Sequence, residues 1–240
     1  MNILAIIPAR GGSKGIPQKN IKKLYKRPLI EYSINAAKSS KKINKIIVST
    51  DNEKIAKISK SLGIEVPFLR PKKISADNSQ TVDLIKHTIK KLKKNEFVPD
   101  IITILQPTSP FRTSHMIDKS INLLKKTDAT SVISVTEIKK HPFLWFEIQN
   151  EYLKSVKKDA HKFYQRQLFP KIFYPTGAIY TFWTSTLTRY NSIYGPKIKH
   201  MIVKDEMQNL DIDDNFDFFV AEMGMKYWKK GQSTISKKMK

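Results

Sequence analysis

The chain contains no cysteine, and it has only eight glycines among 240 residues. Without cysteine it can form neither a disulfide framework nor a thiolate metal site, so the composition does not indicate an oxidising compartment. The first apolar run ends at Pro8 and Arg10, which makes it too short for the apolar core of a signal peptide or for a membrane span. We therefore expect a cytoplasmic protein with no membrane partner.

Acidic residues are also scarce, since 21 Asp and Glu face 44 Lys and Arg and the formal net charge is +23. Such a charge suits anionic partners such as nucleotides, sugar acids or nucleic acids, and its sign does not choose among them. Lysine clusters at 22–26, 38–45 and 90–94 fall in helical segments and favour solvated helix faces. The length allows one large domain or two small ones, and we favour a single domain over 1–240.

Apolar strand-like runs alternate with amphipathic helical segments over the first 137 residues. The predicted strands are 2–8, 43–51, 65–71, 99–110 and 129–137. The predicted helices begin at Pro28 and cover 28–40, 52–63, 81–94 and 114–126. This alternation predicts an α/β fold with a parallel sheet covered by helices on both faces, in which ligands bind beyond the carboxyl ends of the strands.

The alternation fails between Lys139 and Pro175. Residues 145–156 read as a β-hairpin, and a polar stretch with several aromatic residues follows it. We therefore interpret 139–175 as an arm inserted within the domain. Regular structure returns with a strand at 176–183 and a closing helix at 215–231, whose aromatic residues are expected on its buried stripe.

A glycine-rich turn, PARGGSKGIPQKN at 8–20, directly follows the first predicted strand. Such a turn lets backbone amides approach phosphate oxygens closely, while Arg10, Lys14 and Lys19 would neutralise their charge. The spacing matches neither the P-loop nor the Gly-x-Gly-x-x-Gly dinucleotide fingerprint. A plain turn is the alternative, and the surrounding cations favour phosphate binding.

Five further motifs follow this turn in order, and together they cover almost the whole chain. They are IIVSTD at 46–51, FLRP at 68–71, LQPTSPFR at 105–112, an Arg-Gln pair before PTGAIY at 166–180, and LDID at 210–213. The set resembles the acylneuraminate cytidylyltransferases, which make CMP-sialic acid and related CMP-nonulosonates. The resemblance implies a three-layer α/β/α Rossmann-like domain of the nucleotide-diphospho-sugar transferase type. It also implies CMP transfer from CTP to an N-acylneuraminate with release of pyrophosphate.

The resemblance assigns roles to individual residues. Those implied to bind the nucleotide are Arg10, Gly11, Gly12, Ser13, Lys14, Lys19, Asn20 and Arg70. Those implied to bind the sugar acid are Gln106, Ser109, Arg112, Arg166 and Gln167. Plainer interpretations remain for some of them: Arg70 could form a surface salt bridge, and QPTSP could be a turn that caps the next helix through Ser109 or Thr113.

Asp211 and Asp213 are separated by one residue in a segment expected to be extended, which would point both carboxylates to one side. Paired carboxylates suit Mg²⁺, which takes one or two of them together with waters and substrate phosphates. The alternative is a helix start rich in acids, and the resemblance favours the metal. With Arg10 and Lys19, these two aspartates are the predicted catalytic residues.

The five histidines, at 87, 115, 141, 161 and 200, show no ligand spacing, and no nucleophilic triad is visible. This pattern suits direct displacement, which depends on positioning and charge neutralisation rather than on a covalent intermediate. No general base can be named from the sequence. The resemblance further implies a homodimer formed through the arm.

Two departures from the sialic-acid pattern concern the sugar. Leu144 and Tyr174 stand where some sialic-acid enzymes carry cations, and Thr176 rather than Asn precedes Gly177. A less polar nonulosonate such as legionaminate is therefore an alternative substrate, whereas pseudaminate enzymes fit the motifs less well. Two other function classes stay open: a basic protein that binds nucleic acid, and a regulator that binds CTP without turnover.

Overall fold

The computed structural model describes residues 1–76, 78–94, 96–158 and 165–228. The strands are β1 (Ile3–Pro8), β2 (Lys23–Leu24), β3 (Arg27–Pro28), β4 (Lys45–Ser49), β5 (Ile101–Ile104), β6 (Ser131–Glu137), β7 (Phe146–Gln149), β8 (Tyr152–Ser155), β9 (Phe173–Trp183) and β10 (Ile198–Ile202). The helices are α1 (Leu29–Lys38), α2 (Glu53–Ser61), α3 (Thr81–Lys93), α4 (Ser114–Lys126), α5 (Thr184–Tyr190) and α6 (Asn215–Trp228). None of the helices in these ranges is long and apolar enough to cross a bilayer.

Six strands form the central sheet in the order β10-β6-β9-β5-β1-β4. β1 pairs in parallel with β4 and β5, and β10 pairs in parallel with β6. β9 runs antiparallel between β5 and β6. The predicted, mostly parallel α/β sheet is therefore confirmed, and the carboxyl ends of β1, β4, β5 and β6 share one edge.

Apolar side chains fill both faces of this sheet. On one face, residues of α1, α2 and α4 such as Ile34 and Ile117 pack against the strands. On the other face, residues of α3 and α5 such as Leu84 and Leu187 do the same. A third cluster, which includes Phe111 and Phe218, joins α6 to the loops beyond the strands. The layers thus place the strand ends and their loops at one edge, where α6 supports them.

The predicted strand at 65–71 is wrong. Only Glu65 makes a bridge there, to Ile47 of the edge strand β4. The segment contains Pro67 and Pro71, which have no backbone N–H to donate to a ladder. The β2–β3 hairpin was not predicted, because its turn residues Tyr25 and Lys26 adopt positive φ (43° and 72°) without a glycine or asparagine to signal it.

The aromatic residues of the closing helix α6 do not all face inward as expected. Phe218 is buried, whereas Phe216, Phe219 and Tyr227 are 71%, 57% and 58% exposed. The helix is apolar around much of its circumference, so its sequence pattern did not identify a single buried stripe. Residues 229–231, which the prediction included in this helix, lie outside the described ranges.

The predicted hairpin of the arm is confirmed as β7 and β8, which pair only with each other among the described strands. Its turn residues Asn150 and Glu151 have φ of 49° and 70°, as a two-residue hairpin loop of the primed type requires. His141 joins the two ends of the arm, since its Nε2 lies 3.0 Å from the Pro170 carbonyl oxygen. Residues 159–164, which include His161, lie outside the described chain.

Candidate active site

The glycine-rich loop at 8–20 is anchored to the end of the neighbouring strand β4. Gly11 N–H donates to Asp51 Oδ1 at 2.9 Å, and Asn20 Nδ2 donates to the Arg10 carbonyl oxygen at 2.9 Å. A Cβ at Gly11 would lie 2.7 Å from Asn52 Nδ2. Glycine at this position therefore permits the close approach of the loop to β4.

A cavity of about 390 Å³ lies beyond the carboxyl ends of β1 and β5. The predicted site residues in its lining are Arg10, Ser13, Lys14, Lys19, Asn20, Arg70, Gln106 and Asp213. Gly15, Pro107 and Thr108 also line it. Four cationic side chains face one carboxylate across this space, so the cavity attracts anions. Its loop origin and its charge fit a polyphosphate.

Arg70 forms a buried wall of this cavity rather than a surface salt bridge. It is 6% exposed, and its Nε donates to Ser75 Oγ at 2.9 Å. Its Nη2 lies 4.0 Å from Asp51 Oδ1. Burial lowers the pKa of Arg70, the Asp51 carboxylate opposes this shift, and the nearby Arg10 adds to it. A phosphate bound beside these two guanidinium groups would offset their mutual repulsion.

Residues 210–213 form no strand, so the expected period of two does not orient the two aspartates. Tertiary contacts bring the segment to the cavity instead. Ile212 N–H donates to the Thr108 carbonyl oxygen at 2.9 Å. Lys19 Nζ donates to the Ile212 carbonyl oxygen at 2.7 Å and lies 3.6 Å from Asp213 Oδ1.

Asp211 and Asp213 differ in environment. Asp213 has an exposed carboxylate at the cavity, whereas the Oδ1 atom of Asp211 is buried without a hydrogen-bond partner among the described residues. Burial raises the pKa of Asp211, and Asp213 adds to that rise. A hydrogen bond with Thr108 and the charges of Lys19 and Arg112 act in the opposite direction.

The acid-rich helix start is also present, but it uses other residues of the same segment. Asp214 Oδ1 accepts hydrogen bonds from the backbone N–H groups of Phe216 and Asp217 at 2.8 and 2.9 Å. Asp217 Oδ2 accepts from the N–H groups of Asp213 and Asp214. Asp214 and Asp217 thus cap α6, and the carboxylates of Asp211 and Asp213 are not needed for capping.

The donor set suits Mg²⁺ better than a transition metal. Within the described ranges, no three His, Cys, Asp or Glu residues form a group that could hold a metal ion. The Asp213 carboxylate at the cavity, with the Asp211 carboxylate that interacts with it, matches the preference of Mg²⁺ for few protein ligands, with waters and phosphates supplying the rest. The orphaned Asp211 Oδ1 is a buried acceptor that still requires a partner.

The residues of LQPTSPFR divide between the cavity and the core. Gln106 lines the cavity, and the buried hydroxyl of Ser109 has no hydrogen-bond partner in the described chain. Of the two residues predicted to cap α4, Thr113 is the one that does so. Its Oγ1 accepts from the Met116 N–H at 3.3 Å. Arg112 is 4% exposed and is not among the residues that line the cavity. Its implied direct contact with the sugar acid stays a prediction.

Gly177 is a site residue that the sequence reasoning missed. Its φ is +74°, and a Cβ there would lie 2.6 Å from Asp211 Oδ2 and 3.4 Å from Gln106 Oε1. Only glycine therefore leaves room for the Asp211 carboxylate against β9. A glycine inside a predicted strand was the available signal, because such glycines often mark a close approach.

Gln167 of the arm is not among the residues that line the cavity. Gln167 belongs to a short 3-10 helix (Arg166–Leu168), is exposed, and donates from Nε2 to Gln165 Oε1 at 2.6 Å. The side chain of Arg166 falls outside the described part of the chain. None of the four histidines in the described ranges lines the cavity.

A groove of about 1270 Å³ lies at the base of the arm, beside the ends of β6 and β10 and the start of β9. We call it the arm-base groove. Its apolar lining includes Trp145, Phe173, Tyr174 and Leu210, and its cations are Lys139, Lys140, Lys171 and Lys204. Lys139 is paired with Glu206. The groove is therefore partly apolar and carries several positive charges.

Comparison with known proteins identifies what this chain is similar to. A family model described as Cytidylyltransferase matches residues 4–214. A CMP-N,N'-diacetyllegionaminic acid synthase of Legionella pneumophila is 32% identical over 225 residues, which are 92% of this chain and 95% of that protein. An N-acylneuraminate cytidylyltransferase of Streptococcus agalactiae is 34% identical over 249 residues, which cover 98% of this chain and 59% of the longer relative.

The fold is shared with a solved structure of a CMP:2-keto-3-deoxy-manno-octonic acid synthetase complexed with CTP. The TM-score is 0.72 at 13% identity, and the match covers 95% of this chain and 100% of that one. At this identity the likeness concerns the fold alone. The central sheet and its flanking helices therefore correspond in the two structures.

Proposed function

Since the chain belongs to the cytidylyltransferase family and is a nucleotidyltransferase, we propose that it transfers CMP from CTP to a nine-carbon nonulosonic acid. The favoured acceptor is an N-acylneuraminate, and the alternative is legionaminate or another nonulosonate. One observation carries the proposal: the loop after β1 places Arg10, Lys14 and Lys19 around one cavity with Arg70 and Asp213. That arrangement fits a nucleoside triphosphate held beside a pair of carboxylates.

The proposed reaction is a direct displacement. The anomeric hydroxyl oxygen of the sugar acid bonds to the α-phosphorus of CTP, while the bond from that phosphorus to the bridging oxygen of the β-phosphate breaks. Pyrophosphate leaves with the bonding electrons, and the hydroxyl proton passes to solvent. Arg10 and Lys19 offset the negative charge that builds up on the phosphate oxygens and on the leaving group.

Asp211 and Asp213 are the residues that would hold Mg²⁺. When bound, the ion supplies positive charge to the phosphate oxygens. Lys19 contacts both Asp213 and the backbone of Ile212, so it fixes the segment that carries the two carboxylates. The orphaned Oδ1 atom of Asp211 supports this assignment, because a buried carboxylate oxygen without a partner is costly unless a ligand engages it.

Gln106 and Ser109 are proposed to face the sugar acid, and Arg166 and Gln167 of the arm are proposed to reach its carboxylate. The arm carries partly exposed apolar side chains at Leu144 and Tyr174 (42% and 45%). These positions favour a nonulosonate with fewer hydroxyl groups, which keeps legionaminate as the alternative acceptor.

We extend the proposal to a homodimer formed through the arm. The hairpin presents Ile148, Tyr152 and Leu153 with 77%, 78% and 69% of their surface exposed, and apolar patches of this kind mark interfaces. Its acids Glu147 and Glu151 are complementary to the cations of the arm-base groove. A second copy would thus bury the hairpin of one protomer in the groove of the other.

Pyrophosphate release tests the proposed reaction. CTP and Mg²⁺ are combined with N-acetylneuraminate or N,N'-diacetyllegionaminate, and the wild type is compared with Arg10→Ala and Asp211→Asn. Arg27→Ala is the matched control, because Arg27 pairs with Glu31 on the surface at 3.2 Å. We expect release with at least one acid, loss of release in both site variants, and no change in the control.

Two outcomes would favour the other function classes. Binding of CTP without pyrophosphate release from any acid would support a regulator. Tight binding of arbitrary double-stranded DNA that weakens steeply with salt, together with no turnover, would support a nucleic-acid-binding protein.

A further inference from the structure

Arg112 presents an energetic problem, because it is a buried guanidinium whose three hydrogen-bond acceptors in the described part of the chain are all uncharged. Its Nε donates to the Ala178 carbonyl oxygen at 2.6 Å, its Nη1 donates to Ser33 Oγ at 2.9 Å, and its Nη2 donates to the Gln106 carbonyl oxygen. Burial lowers the pKa of Arg112 to about 9, and the charge of Asp211 opposes the shift. The side chain therefore keeps its charge at neutral pH inside the core, which is costly.

The three acceptors belong to three different elements of the fold. Gln106 follows β5, Ala178 lies in β9, and Ser33 lies in α1. A guanidinium can serve all three because its donors form a rigid planar fork. Arg112 thus fixes the spacing between the exit of β5 and the inner part of β9.

Both of the backbone segments held in this way carry site residues. The Gln106 carbonyl oxygen also accepts from Ser33 Oγ at 3.2 Å and from the Ser109 N–H at 3.4 Å. While its carbonyl oxygen is held by these contacts, the Gln106 residue lines the cavity. Gly177, next to Ala178, lies against Gln106 Oε1 and Asp211 Oδ2. A shift of either segment would therefore change the distance between Gln106 and the Asp211 carboxylate.

We propose that Arg112 is a positioning residue for the acceptor side of the active site, which holds Gln106 and Gly177 at the spacing that the sugar acid requires. This inference rests on the proposed function. The nucleotide loop at 8–20 has a separate anchor at Asp51, outside the segments that Arg112 holds. We therefore expect the effect of Arg112 to fall mainly on the sugar acid.

The test compares the wild type with Arg112→Lys, which keeps the charge but not the fork. The milder variant Ser33→Ala removes one acceptor and keeps the arginine. Arg27→Lys is the control, because Arg27 is a half-exposed arginine with a single ionic partner. Four quantities are measured: the Kd for CTP by calorimetry, KM and kcat for the sugar acid, and the rate of backbone hydrogen exchange.

We expect Arg112→Lys to lower kcat/KM for the sugar acid by about 10- to 100-fold, chiefly through KM, because small misplacements of this kind have such effects. The Kd for CTP stays unchanged, and faster hydrogen exchange is confined to 105–113 and 176–180. We expect Ser33→Ala to lower kcat/KM for the sugar acid and to speed exchange in the same two segments, with smaller effects. If Arg112→Lys does not fold, the Ser33→Ala results test the inference.

Equal losses for CTP and the sugar acid, or faster exchange throughout the domain, would show that Arg112 serves general stability and would overturn the inference. So would unchanged KM and exchange in both variants. If the wild type turns over no sugar acid, the proposed function fails. The exchange pattern then decides by itself whether Arg112 anchors the two segments.

Discussion

Lys19 and Asp213 stand at opposite ends of the domain sequence, and yet their side chains form an ion pair at 3.6 Å on the wall of the same cavity. Lys19 also donates to the backbone carbonyl oxygen of Ile212 at 2.7 Å. The loop after β1 is therefore fastened to the segment that carries the two aspartates. This contact joins the proposed phosphate-binding half of the site to the proposed metal-binding half.

Replacing Lys19 tests this connection. Lys19→Met removes a charge from the phosphate side and the donor that holds Ile212, so we expect kcat/KM to fall by about 100-fold or more, as for other groups that stabilise transition-state charge. The measurement is steady-state pyrophosphate release with CTP varied. The control is Lys54→Met, which replaces an exposed lysine of α2. A comparable fall of kcat/KM in this variant would indicate a general effect of net charge.

Replacing Asp211 separates stability from activity. Because burial raises the pKa of Asp211, the ionised carboxylate opposes folding once the pH is above its ordinary pKa of 3.8. We expect Asp211→Asn to increase the free energy of unfolding at pH 7 in the absence of nucleotide and metal, and to abolish turnover. The gain should disappear as the pH falls below 3.8, where the wild-type carboxyl is protonated in both states.

Urea unfolding at several pH values measures this effect, provided that the variant remains folded at the lowest pH. Asp213→Asn serves as the control for stability, because its carboxylate is 82% exposed and carries little desolvation cost. A stabilisation of equal size in both variants, or one that persists at low pH, would contradict the explanation by burial.

Two glycines with the same backbone conformation allow a matched comparison. Gly177 and Gly63 both have φ of +74°, so alanine costs each about 1–2 kcal/mol of backbone strain. At Gly177 the new Cβ would lie 2.6 Å from Asp211 Oδ2, whereas at Gly63 its nearest neighbour is Lys38 Nζ at 3.5 Å. Gly177→Ala should therefore also lower kcat by about 10- to 100-fold, as displaced reacting groups do.

Thermal unfolding and pyrophosphate release, measured on both glycine variants, check this prediction. We expect a loss of stability in both variants, which is larger in Gly177→Ala because of the contact with Asp211, and a loss of activity in Gly177→Ala alone. Equal activities would mean that the position of Asp211 tolerates displacement.

The hairpin of the arm should control self-association. Ile148→Glu places a charge on an exposed apolar residue of β7, and we expect it to weaken a dimer by about 2 kcal/mol or more, as substitutions at interface anchors do. Phe216→Glu changes a similarly exposed residue of α6 (71% against 77%) and should leave the dimer intact. Sedimentation velocity over a range of concentrations distinguishes the two. A monomeric wild type would contradict the proposed dimer.

Local sequence patterns predicted some features better than others. The helix predicted at 52–63 is confirmed as α2, and a local contact begins it, since Asn52 Oδ1 accepts from the N–H groups of Lys54 and Ile55. The same kind of local pattern failed at 65–71, because whether an extended segment becomes a strand depends on a partner elsewhere in the chain. Phe216 and Phe218 on α6 are equally apolar, and only packing decided which of them is buried.

The sequence by itself determined the alternation of most strands and helices over the first 137 residues, the loop that carries glycines and cations, and the acidic segment at 210–213. The motifs and their order were sufficient to predict the family, because each motif consists of neighbouring residues that meet one chemical requirement. Only the tertiary structure decided that Arg112 is buried against Gln106 and Ala178, that Gly177 makes room for Asp211, and that Lys19 meets Asp213. These relationships depend on distances between residues far apart in the chain, and such distances are fixed by packing and burial rather than by local spacing.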